Sequence, residues 1–441
     1  MVYAQGHGKL CFYEGKTRMS RPTVTKSPSI LTARWVLPVS AAPIQNGYVA
    51  IENGKIKTVG RLADLPADCA YPEPEEASIL TPGLVNCHTH LEQSFAEPIR
   101  KLQGEPFTEW LCKVVQTLRA SSSAGEKIAR CQTGAQELLE SGTTCVNDIA
   151  SGQESLLALD AKGLRGVVSL EVFHPGSDPI QIEHWLAAYR NLQEGYMDHV
   201  RLRIGLSPHS AYNVSPVAWQ AMVEACQPWL IHSHLAEFED ETRYLQGQNS
   251  CIKDLHQRIL GQRFSPAYHA PSPVAYLHGR QLLSAQTVLA HAIHTTAADR
   301  ECLQAAGVGI AHCPRSNLAL HGQTLRAADW QCYDIPLGLG TDGRLSTSDL
   351  DLRAEARCAM QQHGWSAVRA LGAMTINGAR VLAMANDIGS LEPGKWADMV
   401  LWKAQPFTDL PEDALLRPST QAQQVLVAGQ NRYKRGCHAA C

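Results

Sequence analysis

A chain of 441 residues is long enough for two or three average domains or for one large α/β barrel with additions, so length alone decides nothing. A hydrophobic content of 44% beside 18% charged residues is that of a globular protein with a sizeable core, and it excludes disorder for most of the chain. The 39 basic and 42 acidic residues leave a formal charge of -3, with no basic stripe for nucleic acid or an anionic membrane, and the expected partner is a small-molecule substrate.

Residues 1–27 are polar and without periodicity, and read as an N-terminal arm, with Met19 an alternative start. They lack the pattern of a secretory signal, and nowhere does an apolar run reach the ~18 residues of a membrane span. The 14 cysteines are scattered singly, without a CxxC pair, which predicts reduced and mostly buried thiols in a cytoplasmic protein, with a homo-oligomer allowed. The tail 433–441 carries Cys437 and Cys441 around one histidine, a set that lacks a fourth metal ligand.

From Ile30 the pieces ILTARWVL, GYVAIENG and KIKTVG read as short strands, and the Asn-Gly inside AIENGKI predicts a hairpin turn. A long central region then alternates apolar runs with amphipathic stretches such as GEKIARCQTGAQELLESG and TAADRECLQAAG. Eight such runs can be counted: ILTPGLVNCH, TTCVNDIA, RGVVSLEVF, VRLRIGLSP, WLIHSHLAE, TVLAHAIH, GVGIAHCP and IPLGLGTDG. Eight buried strands, each followed by a helix, predict a closed parallel barrel. After MTINGARVLAM the text returns to strands in WADMVLWK and QAQQVLVAGQ. The predicted architecture is therefore α/β: a (β/α)8 TIM-type barrel over 81–385, with a small β-sandwich built from both termini, 28–80 and 386–432.

The polar residues of the central region fall at the carboxyl ends of its apolar runs, where parallel barrels carry their sites. His88 and His90 close the first run, His232 and His234 the fifth, His291 the sixth, His312 the seventh and Asp342 the eighth. Residues two apart on a strand face the same way, so His88 and His90 can grip one ion. An HxH pair alone would more often be two hydrogen-bonded histidines, but His234 and Asp342 supply a third imidazole and a harder oxygen. Three histidines and an aspartate suit one Zn(II) or Fe(II) and leave a position for water. Such an ion makes hydroxide available near neutral pH, and Glu237, just past a ligand-bearing strand, is placed to carry a proton to a leaving nitrogen. His291 can hydrogen-bond the attacking water or the electrophile. His209 and His312 are candidates for substrate contact against a purely structural role, and His232 has no place in a mononuclear site.

The motifs TPGLVNCHTH, HLAEFEDE, LAH, GLGTDG and GSLEPGKWADMVLW resemble, in order, those of the amidohydrolase superfamily over about residues 28–432. The pattern is similar to the cytosine deaminase and S-adenosylhomocysteine deaminase branch, and most to aminofutalosine deaminase-type enzymes. The resemblance implies one metal without a carboxylated lysine, held by His88, His90, His234 and Asp342, with Glu237 as proton carrier and His291 as second acid/base group. It also implies Glu92, Trp110, His209 and Arg315 along a nucleoside pocket. The function it implies is hydrolysis of a carbon–nitrogen bond: deamination of a 6-aminopurine nucleoside derivative such as aminofutalosine, S-adenosylhomocysteine or methylthioadenosine. A chlorohydrolase or amide hydrolase using the same water is the competing enzyme reading. A barrel retained as a binding scaffold is the third, and would be signalled by missing ligands.

Overall fold

The computed structural model describes residues 29–67, 70–94, 97–119 and 123–436. The expected arm over 1–27, with Met19, and the tail cysteines Cys437 and Cys441 lie outside them.

The chain opens with β1 (Ser29–Val36), β2 (Ile44–Glu52), β3 (Lys55–Arg61) and β4 (Ser78–Pro82). Asn53 and Gly54 turn between β2 and β3 with φ of 53° and 77°, the left-handed pair that an Asn-Gly hairpin needs. The barrel strands follow: β5 (Leu84–His90), β6 (Thr143–Ala150), β7 (Arg165–Val172), β8 (Leu202–Pro208), β9 (Ile231–Leu235), β10 (Thr287–His291), β11 (Gly309–His312), β12 (Leu337–Leu339) and β13 (Asp342–Gly343). The chain closes with β14 (Met399–Lys403), β15 (Gln421–Val427) and β16 (Gln430–Lys434).

Strands β5 to β12 pair in parallel, each with the next, and β13 pairs with β5 through Asp342↔Thr89 and Gly343↔His90. Strands β12 and β13 are two pieces of the eighth run, interrupted at Gly340 and Thr341, so the ring returns to its first strand as a distorted barrel. Helices cover its outer face. Ala124–Glu140 starts at Ser123 with a capping box to Glu126, and Ala297–Ala306 starts at Thr296 with Asp299 and stops at Gly307, φ 71°. The stretch MTINGARVLAM is split at Thr375 between the helices Ala367–Met374 and Ile376–Val381. No helix among the described residues is long and apolar enough to cross a membrane.

The terminal strands form one seven-stranded sheet in the order β16-β15-β14-β4-β1-β2-β3, antiparallel except between β1 and β4. It curls until its end hairpins meet: a Cβ on Gly54 would lie 2.7 Å from the carbonyl oxygen of Ala428. The enclosed faces share a core of residues such as Val49, Ile51, Leu80, Met399 and Leu426, the two-layered unit expected from both termini.

One predicted run is divided between the two units. ILTPGLVNCH gives β4 to the terminal sheet and β5 to the barrel, and the joint is Gly83, whose N–H donates to Asp398. A side chain there would collide with Thr144, since a Cβ would sit 2.0 Å from its Oγ1. A buried ion pair ties the units together: Arg165 at the start of β7 donates to Asp398 through Nε at 2.6 Å and Nη2 at 3.2 Å.

Candidate active site

The alternation of β5 turns His88 and His90 into the barrel mouth, where β9 brings His234 and β13 brings Asp342. His90 Nε2 lies 3.3 Å from His234 Nε2, and Nε2 of both His88 and His90 lies 3.5 Å from Asp342 Oδ1. The three imidazoles each offer a ligand atom within 4.8 Å of the others. Burial lowers the pKa of His88 to about 4 and that of His90 well below its usual value, so both offer lone pairs at neutral pH. Burial works against the charge of Asp342, but the surrounding imidazoles hold its pKa well below the ordinary carboxylate range. His88 Nε2 is fully buried and has no hydrogen-bond partner. An orphaned neutral nitrogen facing two more and a carboxylate is the donor set of a divalent ion such as Zn(II).

Three of these four side chains are held from behind. His234 Nδ1 donates to the carbonyl of His209 at 3.0 Å, which leaves Nε2 free to ligate. His88 Nδ1 is 3.0 Å from His232 Nε2, whose Nδ1 is 2.7 Å from the Asn147 amide, and Ser169 Oγ donates to Asn147 at 2.9 Å. His232, which had no role in the sequence, thus orients His88. Asp342 Oδ2 accepts from Ser316 Oγ at 2.5 Å and Ser346 Oγ at 3.1 Å. Asp342 and His291 both sit in the left-handed region, with φ of 57° and 73°, where strain is tolerated because the surroundings fix the side chain.

Glu237 follows β9 and precedes the helix Glu239–Leu245. Its Oε1 accepts from His321 Nε2 at 3.0 Å and lies 3.8 Å from His291 Nε2. Burial would raise the pKa of Glu237, but His291 and the hydrogen bond from His321 outweigh it and hold it at about 2. The carboxylate is therefore ionised. His291 Nδ1 is 2.8 Å from Asn317 Oδ1 and donates there, which turns Nε2 towards Glu237.

These groups line one cavity. Phe107, Trp110, Leu111 and Val114 of the helix Phe107–Arg119 form its apolar wall, with Leu320 and Ile149. Its polar face carries His90, Glu92, Glu171, His209, His234, Glu237, His291 and Asp342. Glu92 is engaged by Ser151, whose N–H and Oγ donate to its Oε1 at 2.8 and 2.7 Å, and Trp110 Nε1 donates to the Ile99 carbonyl at 2.6 Å.

Two expected substrate contacts, Arg315 and His312, are not in this lining. Arg315 is turned outward into an ion pair with Asp349, at 2.6 and 3.0 Å, and its N–H binds Glu355. His312 is fully buried and its Nε2 meets His363 Nε2 at 3.1 Å, beside Trp365. His312 ends β11 and Arg315 follows it, but the neighbouring segment 349–365 engages both side chains. Conversely, His321 and Asn317 carry no strand-end position in the sequence and are found only through the fold, whereas Glu171 occupies one, near the end of the run RGVVSLEVF. A helical spacing signal existed for one pair: Asn317 and His321 are four apart in Pro314–His321 and share a face.

Residues 79–431 match the model of the Amidohydrolase family. The chain is 28% identical to a 5-methylthioadenosine/S-adenosylhomocysteine deaminase of Desulforudis audaxviator, over 84% of this chain and 83% of that protein. It is 29% identical to an 8-oxoguanine deaminase of Pseudomonas aeruginosa, over 95% of each. Among solved structures, aminofutalosine deaminase of Helicobacter pylori is similar with a TM-score of 0.79 at 21% identity, over 92% of this chain and 100% of that one. A zinc-bound adenosine deaminase of Xanthomonas campestris is similar with a TM-score of 0.77 at 24% identity, over 92% and 93%. At these identities the structural likeness establishes the fold.

Proposed function

The chain belongs to the amidohydrolase family, and on that premise we propose that it is a metal-dependent aminohydrolase that replaces the exocyclic amino group of a 6-aminopurine nucleoside derivative, releasing ammonia. Aminofutalosine, S-adenosylhomocysteine and methylthioadenosine are the substrates to try first. The observation that carries the reading is the Glu237 carboxylate hydrogen-bonded by His321 at 3.0 Å and 3.8 Å from His291 Nε2, at the edge of the three-histidine cluster. The 5-methylthioadenosine/S-adenosylhomocysteine deaminases among the sequence relatives support the substrate class.

When bound by His88, His90, His234 and Asp342, a divalent ion supplies a water acidified towards neutrality. Glu237 takes a proton from the attacking water and delivers it to the ring nitrogen beside the reacting carbon. His291 Nε2 accepts a hydrogen bond from the same oxygen and takes its second proton. The amino group then leaves with a proton returned by this pair, so water is consumed and ammonia formed without net change in charge. The wall of Phe107, Trp110, Leu111 and Val114 excludes bulk water and offers flat apolar surface to a heterocycle.

The test is ammonia release by zinc-loaded protein from a panel of aminated purines, pyrimidines and pterins. Glu237→Gln is expected to retain its metal and lose about 100-fold or more of kcat, the scale of positioned acid–base catalysis. Absence of ammonia from the whole panel, with chloride or amine released from another substrate, overturns the proposal, and full activity in Glu237→Gln overturns the proton-carrier role.

A further inference from the structure

Glu171, near the end of β7, is a polar group of the cavity wall that the chemistry above does not use. It is only 5% exposed, and its Oε1 has no hydrogen-bond partner. A buried carboxylate oxygen left without a partner is destabilising unless something else satisfies it. Beside it stands His209, whose Nε2 is 3.9 Å from Glu171 Oε1, beyond hydrogen-bond reach.

The state of His209 is set from behind. His256 Nε2 donates to Asn213 Oδ1 at 2.9 Å, and Asn213 Nδ2 donates to His209 Nδ1 at 3.0 Å. With Nδ1 accepting, the ring proton of neutral His209 resides on Nε2, which faces the cavity. Glu171, His209 and His234 each offer a ligand atom within 4.8 Å of the others, but His234 Nε2 is already turned to His90, at 3.3 Å.

We propose that Glu171 is a specificity-determining residue: its carboxyl oxygen accepts a hydrogen bond from an N–H or O–H of the substrate, next to a ring nitrogen that accepts from His209 Nε2–H. The pair reads a donor beside an acceptor along one edge of the heterocycle. Two sources present that donor in the purine class, the ring N–H of a free base and a sugar hydroxyl of a nucleoside. The proposal rests on the amino-heterocycle reading, and its test does not need turnover.

Dissociation constants are measured by calorimetry on the zinc-loaded full chain with hypoxanthine, 9-methylhypoxanthine, inosine and 2',3'-dideoxyinosine. Wild type is expected to prefer a donor-bearing ligand over its donor-lacking partner by about 10- to 100-fold, the scale of one hydrogen bond to a buried charged group. A preference within the base pair assigns the ring N–H, and one within the nucleoside pair assigns the hydroxyl. Glu171→Met should abolish the preference with unchanged zinc content, and the near-isosteric Glu171→Gln, which keeps an acceptor, should restore part of it. Equal binding within both pairs by wild type, failure of all four to bind, or a preference that survives in both variants overturns the subsite. Ammonia release without a Glu171-dependent preference refutes this inference alone, and a Glu171-dependent preference without ammonia release refutes the deaminase reading alone.

Discussion

Three imidazoles and a carboxylate can share one ion only if their side chains are held in register, and the partners behind them hold them. The His88–His232–Asn147 chain does so for the most buried ligand. Replacing His232 by Phe keeps the ring volume and removes the hydrogen bond, and should weaken zinc affinity by about 10- to 100-fold, read by competition with a chelator. Unchanged affinity would make His232 a packing residue. The hydrogen bond from His321 acts on Glu237 instead. Burial pushes the Glu237 pKa up, and His291 and His321 bring it down to about 2, so loss of His321 lets it rise. In His321→Phe the acid limb of the kcat profile should move to higher pH, so activity falls more at pH 5 than at pH 8, with zinc content unchanged. A uniform drop at all pH values would show that His321 does not set the carboxylate's ionisation.

At the level of elements, the site depends on where strands are interrupted. The break between β12 and β13 turns Asp342 inward, and it needs Gly340 packed on the first ligand strand: a Cβ there would be 2.8 Å from His88 Cβ and 3.0 Å from its backbone N and O. Gly340→Ala must push backbone against backbone, which costs about 1–3 kcal/mol in a packed core and shifts a ligand. Lower melting temperature together with lower zinc occupancy is the expected result; loss of neither would show that the strand relaxes freely. Glycines in apolar runs were visible in the sequence, but a continuous run gives no sign of where one strand ends and another begins. ILTPGLVNCH was read as one strand because both halves are equally apolar, and the division at Gly83 follows from Thr144 across the sheet.

At the scale of the whole molecule, the curled terminal sheet is fastened to the barrel by Arg165 and Asp398, with Ala428 N–H donating to the same carboxylate at 2.7 Å. Arg165 is 5.2 Å from the ring of Trp396, so its cation is enclosed on both sides. Asp398→Asn strands a buried guanidinium and is predicted to cost about 3–5 kcal/mol in chemical denaturation; a cost under about 1 kcal/mol would place the pair in the class of surface bridges.

The sequence by itself determined the barrel, the terminal β unit, and the convergence of His88, His90, His234, Glu237, His291 and Asp342. Strand period and position at a strand's end are local properties, and a parallel barrel sends every strand end to one mouth. Only the tertiary structure decided which side chains fill the spaces between those ends. His232 reaches His88 across 144 positions and His321 reaches Glu237 across 84, and no local pattern records either separation. The same reason removed Arg315 and His312 from the cavity, since their motif placed them near the mouth but the pull of Asp349 and His363 came from a later helix and the loop before it. It also left the buried carboxyl of Glu171 facing the place where a substrate would lie.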